Sequence, residues 1–288
     1  ALCPIMSQHS HYGDGLFEGI RAYDTPKGRA IVQLKQHIDR FFWSANVAGY
    51  GIPFSKEVIR AAIIDSVKRA EYRESYIRPV AWVIDPEKPI GLHTSHDITH
   101  VAVGAWPSIA TPNKTPRLYV PNMTRIWQGD QALIEAKLCG NYINSRIAIR
   151  RAKKVGYDDA LLFDYQGHLA ECSAANVFIV IGDTLYTPPR GTIFPGITRA
   201  IVIQIAKDNG ICIIDTKPLL LQDVHYADAM FECGTALEIT PIKCVYAQTT
   251  GEMGFDAHHK IIAFLKAKYN AIIHGADPDS DRWIEYID

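Results

Sequence analysis

The chain has 288 residues, 48% hydrophobic and 10% aromatic, enough for one large domain or two modest ones whose core needs no metal or disulfide staple. Thirty Lys and Arg against 31 Asp and Glu leave a formal charge of −1, so no overall basic field exists to gather nucleic acid or an anionic membrane. A charged fraction of 21% beside this aromatic content also excludes a disordered, solvating chain.

Leu34, Ile38, Phe41, Ala45 and Ala48 recur at helical spacing and predict an amphipathic helix over 33–49. Gly51-Ile52-Pro53 breaks it, and Ser55 is the expected N-cap of a second helix ending near residue 73. Residues 76–84 and 98–106 are rich in β-branched and aromatic side chains and read as strands. Between Trp106 and Arg117 lies Pro-Ser-Ile-Ala-Thr-Pro-Asn-Lys-Thr-Pro, which carries little apolar mass and is the expected link between two domains. A helix over 141–155 should end at Gly156. Short strands are expected at 159–163, 168–172, 177–181 and 184–186, with tight turns at Tyr165-Gln166-Gly167 and Gly182-Asp183. A strongly apolar helix over 198–209 stops at Gly210, followed by strands at 212–215, 230–233 and 244–247 and a last helix over 256–273. The expected organisation is a small domain over 1–107, a linker over 108–116 and a large domain over 117–288, each of mixed α/β or α+β type.

Cys3, Cys139, Cys172, Cys212, Cys233 and Cys244 never fall at CxxC spacing, and Cys212 sits between isoleucines. Buried reduced thiols in a reducing compartment are the expectation, which places the protein in the cytoplasm. No apolar run approaches the roughly 18 residues of a bilayer span, and no secretory signal is visible after the opening Ala1-Leu2-Cys3-Pro4. Nucleotide-binding glycine loops, the GxSxG elbow and HExxH are all missing. His9 and His11 alternate along a possible strand, and His258 and His259 lie on the expected last helix, but neither set has the convergent acids of a metal site.

Three stretches carry chemistry. Pro195-Gly196-Ile197-Thr198-Arg199 feeds the apolar helix, so free N–H groups and the positive dipole end gather at Ile197 and Thr198. By spacing alone this is either a routinely capped helix or a cup for a phosphate dianion. Lys137, in Glu135-Ala136-Lys137-Leu138-Cys139-Gly140-Asn141-Tyr142, is expected between a strand and a helix. A lysine in a partly desolvated place becomes a nucleophilic amine able to form a Schiff base, whereas a solvated surface lysine does not. Glu171 lies among small apolar residues at a strand end, where a carboxylate needs a cationic or protonated partner unless it merely caps a turn.

Lys137, Glu171 and the Pro195-Gly196-Ile197-Thr198 cup follow one another along the chain, and with four further motifs the chain resembles the fold-type IV pyridoxal-phosphate aminotransferases, and within them the branched-chain amino-acid aminotransferases. The remaining markers are His11-Tyr12-Gly13, Phe17-Glu18-Gly19-Ile20-Arg21, Tyr76-Ile77-Arg78-Pro79 and Gly234-Thr235-Ala236-Leu237-Glu238-Ile239-Thr240-Pro241. The resemblance implies a small α+β domain and a large α/β pseudo-barrel domain that binds pyridoxal 5'-phosphate. It implies that Lys137 holds the cofactor and then moves the substrate α-proton, that Glu171 pairs with the protonated pyridine nitrogen, and that Tyr142 hydrogen-bonds the ring's 3-oxygen. Arg40, Ile197, Thr198 and Thr235 would bind the phosphate. Thr235 and Ala236 would offer N–H groups to the substrate α-carboxylate, with Tyr76 assisting. Phe17 would line the side-chain pocket, and Tyr12 would complete it from the partner subunit of a homodimer or higher homo-oligomer. The substrates implied are leucine, isoleucine and valine, with 2-oxoglutarate as amino acceptor.

Tyr76 and Arg78 alternate along a strand and so share a face, which makes Arg78 the expected grip for a distal carboxylate. Three departures from the family pattern stand out: the sequence starts late, at Ala1, after the place where an opening strand is expected; Cys172-Ser173-Ala174-Ala175 replaces glycine-rich residues; and Ser108-Ile109-Ala110 follows Trp106-Pro107 where an aromatic and glycine loop is usual. A D-amino-acid or (R)-amine transaminase, or an aminodeoxychorismate lyase, is the alternative within the fold. A non-catalytic ligand-binding scaffold is the alternative outside it, and it has no use for Lys137 and Glu171 together with a phosphate cup.

Overall fold

The computed structural model describes residues 3–108, 115–125 and 131–288. Most of the expected linker, 109–114, and the chain's first two residues lie outside the described residues. The chain divides into two compact units. The first takes Ala1–Ile109 and also Ala136–Tyr142 and Ile272–Asp288, two segments that the sequence reading assigned to the large domain. The second takes Ala110–Glu135 and Ile143–Ala271.

The first unit opens with α1 (Gln8–Tyr12), where a strand had been expected around His9 and His11. The cause is local: Ser7 caps the helix by accepting from the Ser10 N–H, and Gly13 closes it in the left-handed conformation. β1 (Gly15–Phe17), β2 (Ile20–Thr25) and β3 (Gly28–Val32) lead to α2 (Leu34–Ala48) and α3 (Lys56–Ala70), and these to β4 (Ser75–Ile84) and β5 (Ile98–Pro107). Ser55 caps α3 as expected, by accepting from the Val58 N–H.

β4 is the spine of the antiparallel sheet. One edge pairs with β5 along its length, and the other pairs first with β2 at Ser75–Ile77 and then with β1 at Val80–Trp82. Pro79 falls at the gap between those two partners, so its missing N–H costs no ladder bond, while its carbonyl accepts from Glu18 N at 2.9 Å. The strand Ile284–Tyr286 adds itself to β3, a pairing the sequence reading did not anticipate. Leu34, Ile38, Ile59, Ile63 and Val67 from the two helices bury their apolar stripe against Ile20, Ile31 and Ile77 of this sheet.

The second unit contains β6 (Arg117–Tyr119), α4 (Gln131–Glu135), α5 (Tyr142–Lys154, whose first residue belongs to the first unit), β7 (Asp159–Phe163), β8 (Leu169–Cys172), β9 (Asn176–Ile181) and β10 (Thr184–Tyr186). It continues through α6 (Ile197–Asp208), β11 (Cys212–Ile214), α7 (Leu221–His225), β12 (Ala229–Gly234), β13 (Glu238–Pro241), β14 (Cys244–Ala247), β15 (Gly251–Gly254) and α8 (Lys260–Ile273). α8 starts after His258 and His259 rather than including them, because Asp256 caps the turn before it by accepting from the His258 N–H. The strands form two five-stranded sheets, β11-β10-β9-β12-β13 and β15-β14-β6-β7-β8. Leu118, Leu161, Leu169, Val177, Ile179, Met230 and Val245 from both sheets share one core. Phe178 and Phe231, directly opposite on β9 and β12, stack with centroids 4.8 Å apart. No helix among the described residues is long and apolar enough to cross a membrane.

Candidate active site

Each unit carries one group of the expected site residues. In the first, Lys137 follows α4 rather than a strand. It enters a short irregular segment held by an isolated bridge between Leu138 and Leu16, with a 3₁₀ turn at Cys139–Asn141 beyond. Its backbone is fixed on both sides: Phe17 N donates to Lys137 O at 3.2 Å, and Lys137 N donates to the buried Ser44 Oγ at 3.1 Å. Its Nζ lies 2.8 Å from Tyr142 Oη. Phe17 packs its ring 4.8 Å from that of Tyr142 and 5.2 Å from the amine. Cys139 is no competing nucleophile, because burial pushes its thiol up to about 11.

Arg78 and Tyr76 share a face, as alternation along β4 requires: Arg78 Nη2 donates to Tyr76 Oη at 2.9 Å, and the guanidinium sits 4.4 Å over the Phe17 ring. Arg78 Nε is buried and has no hydrogen-bond partner among the described residues. Gly19 is required here because a Cβ would stand 2.2 Å from Tyr76 Oη. Tyr12 ends α1 and is 45% exposed, and its hydroxyl accepts from Gly91 N at 3.1 Å.

Arg40 arrives already paired. Its Nε and Nη2 donate to the two oxygens of Glu18 at 2.6 and 2.8 Å, and His37 Nδ1 lies 2.7 Å from Glu18 Oε2. Burial alone would raise the Glu18 pKa, but the charge and hydrogen bonds of Arg40, joined by those of His37, outweigh it and hold the carboxyl well below its usual range. Burial pushes His37 below its ordinary value, so the ring is neutral and Nδ1–H donates to the ionised Glu18. His37, Arg40 and Ser44 follow one another at i, i+3, i+7 on α2, and this stripe serves both Glu18 and Lys137.

In the second unit, Glu171 on β8 is buried beside Arg125, whose Nε donates to Oε1 at 2.6 Å. Oε2 accepts from Asn176 Nδ2 and from Phe194 N, each at 3.1 Å. Asn176 also donates to Phe194 O at 2.8 Å, and a Cβ on Gly196 would collide with its Oδ1 at 2.0 Å. Glu171 is thereby tied to the start of α6. Gly196 is the N-cap, the first turn holds no acid, and the N–H groups of Ile197, Thr198 and Arg199 have no carbonyl four residues back within the helix. Thr198 is buried at that end. Thr235 and Ala236 occupy the turn between β12 and β13, and neighbouring Gly234 approaches Ala174 and Ala175 of the turn that follows β8.

Arg125, Asn176, Glu18, His37 and Ser44 were not singled out in the sequence. Of the α2 stripe only Arg40 was reached, and that through the family resemblance rather than the helical pattern. Arg125 lies in irregular chain, where no periodicity marks it.

The chain belongs to the amino-transferase class IV family, whose pattern its residues 15–245 match. It is 34% identical over 252 residues to the branched-chain-amino-acid aminotransferase of Pseudomonas aeruginosa, covering 86% of this chain and 81% of that one. Among solved structures it resembles the branched-chain aminotransferase of Thermoproteus uzoniensis with norvaline, at a TM-score of 0.92 and 31% identity over 100% of this chain and 95% of the other. It also resembles the T.th. branched-chain amino acid aminotransferase complexed with N-(5'-phosphopyridoxyl)-L-glutamate, at a TM-score of 0.89 and 35% identity over 100% and 94% of the two chains.

Proposed function

We propose that this chain is a pyridoxal-phosphate-dependent transaminase that exchanges the amino group between leucine, isoleucine or valine and 2-oxoglutarate, in the cytoplasm and as a homodimer or larger homo-oligomer. The observation that carries the reading is the Lys137 amine fixed 2.8 Å from the Tyr142 phenol, on a backbone clamped by Phe17 and Ser44. The donor chemistry fits the cofactor: an amine and a phenol for its aldehyde and 3-oxygen, a carboxylate for its ring nitrogen, and an open helix N-terminus for its phosphate. When bound, the cofactor supplies the electron sink that makes the substrate α-proton removable.

Lys137 holds the cofactor and then carries the α-proton on Nζ, with Tyr142 orienting that amine. Glu171 stabilises a protonated ring nitrogen. A carboxylate has about four acceptor positions, and the described donors take three of them, from Arg125, Asn176 and Phe194. Arg40, Ile197, Thr198 and Thr235 receive the phosphate. Thr235 and Ala236 bind the substrate carboxylate, with Tyr76 assisting, and Phe17 and the partner subunit's Tyr12 line the pocket for an apolar side chain. Arg78 Nε, buried and without a partner among the described residues, supports 2-oxoglutarate as acceptor, because a distal carboxylate supplies that bond. The bound norvaline and phosphopyridoxyl-glutamate of the two solved relatives agree with a pocket that takes both side chains.

The test is an amino-donor screen on the cofactor-loaded protein, followed by visible absorbance. Leucine, isoleucine and valine should each convert the cofactor, and 2-oxoglutarate should restore it. Borohydride reduction and peptide mapping should label Lys137. Conversion by D-amino acids or (R)-amines without conversion by leucine, or label on another lysine, overturns the reading.

A further inference from the structure

We propose that Asp85 is a positioning residue for Tyr12, acting through the 86–97 loop that its carboxylate folds. The inference rests on the reading that Tyr12 lines the substrate side-chain pocket. Asp85 follows the last residue of β4 and is fully buried. Among the described residues no cation pairs with it. Its Oδ1 accepts from Glu87 N and Lys88 N at 2.9 and 3.1 Å, and its Oδ2 from Ser95 N and His96 N at 2.7 and 3.1 Å, with Ser95 Oγ at 3.5 Å. The Ser95 N–H first, then those of His96, Lys88 and Glu87, hold the carboxyl well below its usual range. One side chain therefore closes both ends of a loop that has no helix or strand of its own.

That loop grips α1 at both of its ends. Asp85 N donates to Gln8 Oε1 at 2.9 Å, and Gln8 Nε2 donates to Lys88 O at 2.6 Å, with Gln8 nearly inaccessible. Gly91 N donates to Tyr12 Oη at 3.1 Å. Gln8 is the first residue of α1 and Tyr12 the last. A five-residue helix has little stability of its own, since helices shorter than about 12 residues are marginal in water. Its place is set by its caps and by this clamp. The Tyr12 ring consequently stands where the loop puts it, and the loop stands where Asp85 puts it.

Asp85→Asn replaces an oxygen that accepts two N–H groups with an amide donor facing them. In the holoenzyme it should raise the leucine KM by roughly tenfold, the size of one or two lost hydrogen bonds, with kcat within about twofold. Amide exchange across residues 8–12 should speed up while that of β4 stays slow. Gln8→Ala, which cuts the clamp and leaves the Asp85 loop intact, should move the leucine KM the same way. In a Tyr12→Ala background, Asp85→Asn should add nothing to KM. A full additional loss there overturns the proposal, because Asp85 would then act on something other than Tyr12. Unchanged exchange at 8–12 overturns it too, while leaving the pocket reading intact. A Tyr12→Ala enzyme with the parent's leucine KM overturns the pocket reading, and the proposal with it.

Discussion

Glu18 in the first unit and Glu171 in the second are both buried carboxylates with an arginine Nε at 2.6 Å, and they use that pair in opposite senses. Glu18 spends both oxygens on Arg40 and completes its shell with His37 and the Gly19 N–H. The pair is closed, and its product is a cation held at a fixed angle on α2. Glu171 takes a single bond from Arg125 and two more from an amide and a backbone N–H. There the arginine steadies the anion, which keeps capacity for another donor. Burying one ion pair thus either presents a cation or presents an anion, depending on which partner is saturated.

The sharpest way to break that comparison is Glu18→Ala. It leaves Arg40 without its anion, and losing one member of a buried pair costs about 3–5 kcal/mol. Urea unfolding should show a loss of that size. A loss below about 1 kcal/mol, the scale of an exposed pair, would mean that Arg40 finds other company and the closed pair is ornamental. Glu171→Gln supplies the contrast: it too leaves a buried arginine without its anion, so stability should fall, and in addition the α-proton transfer step should lose most of its rate.

A middle-sized effect is expected at Arg78, whose Nη2 is engaged and whose Nε has no partner among the described residues. Arg78→Leu should weaken use of 2-oxoglutarate and glutamate by about 1.5–3 kcal/mol, the value of a charged hydrogen bond, and change the leucine half-reaction far less. Equal losses in both half-reactions would make Arg78 a support for Phe17 and Tyr76 only.

A pH-dependent effect concerns Glu232, another buried carboxylate without a cation among the described residues. Glu232 on β12 leaves Oε2 without a partner among the described residues, and burial, with the nearby Asp159 charge, pushes its carboxyl up to about 8. A folded-state pKa raised above the unfolded value means that the folded protein holds the extra proton. Stability is then fully present below about pH 4.5 and declines as pH rises toward 8. Glu232→Met, similar in length and apolar, should raise the unfolding free energy by up to about 5 kcal/mol at pH 9, the size of a shift from 4.5 to about 8, and by much less at pH 5. A pH-independent difference would mean that Glu232 never titrates in that range.

Much of the fold was legible where periodicity was long. α2, α3, β4 and β5 lie within a few residues of their expected bounds, because each repeats an apolar face and ends at a glycine, a cap or a proline. The start of the chain was misread because two alternating histidines look like a strand, and only the Ser7 cap and the left-handed Gly13 decide for a helix. Lys137 was expected between a strand and a helix, but it is the helix α4 that precedes that lysine. Lys137, Glu171 and the α6 N-terminus were visible as motifs. Their supports were not: Ser44 lies 93 residues from Lys137 and Arg125 lies 46 from Glu171, and a hydrogen bond across such a separation leaves no local pattern. The compact units differ from the expected division at 136–142 and 272–288, which group with residues far earlier in the chain.

That grouping has a consequence for how the chain is made. Ile284 pairs with Val32, and the Asp288 carboxylate receives Arg29 across 259 residues. On the ribosome, synthesis runs from the N-terminus, so the second unit has all of its residues in hand before the first receives its last strand. Until then the β3 edge stands open, a row of unpaired N–H and carbonyl groups that any other strand can template on. The unit that is first in sequence is the last to be finished, and its nascent edge is the part of the molecule most in need of protection during synthesis.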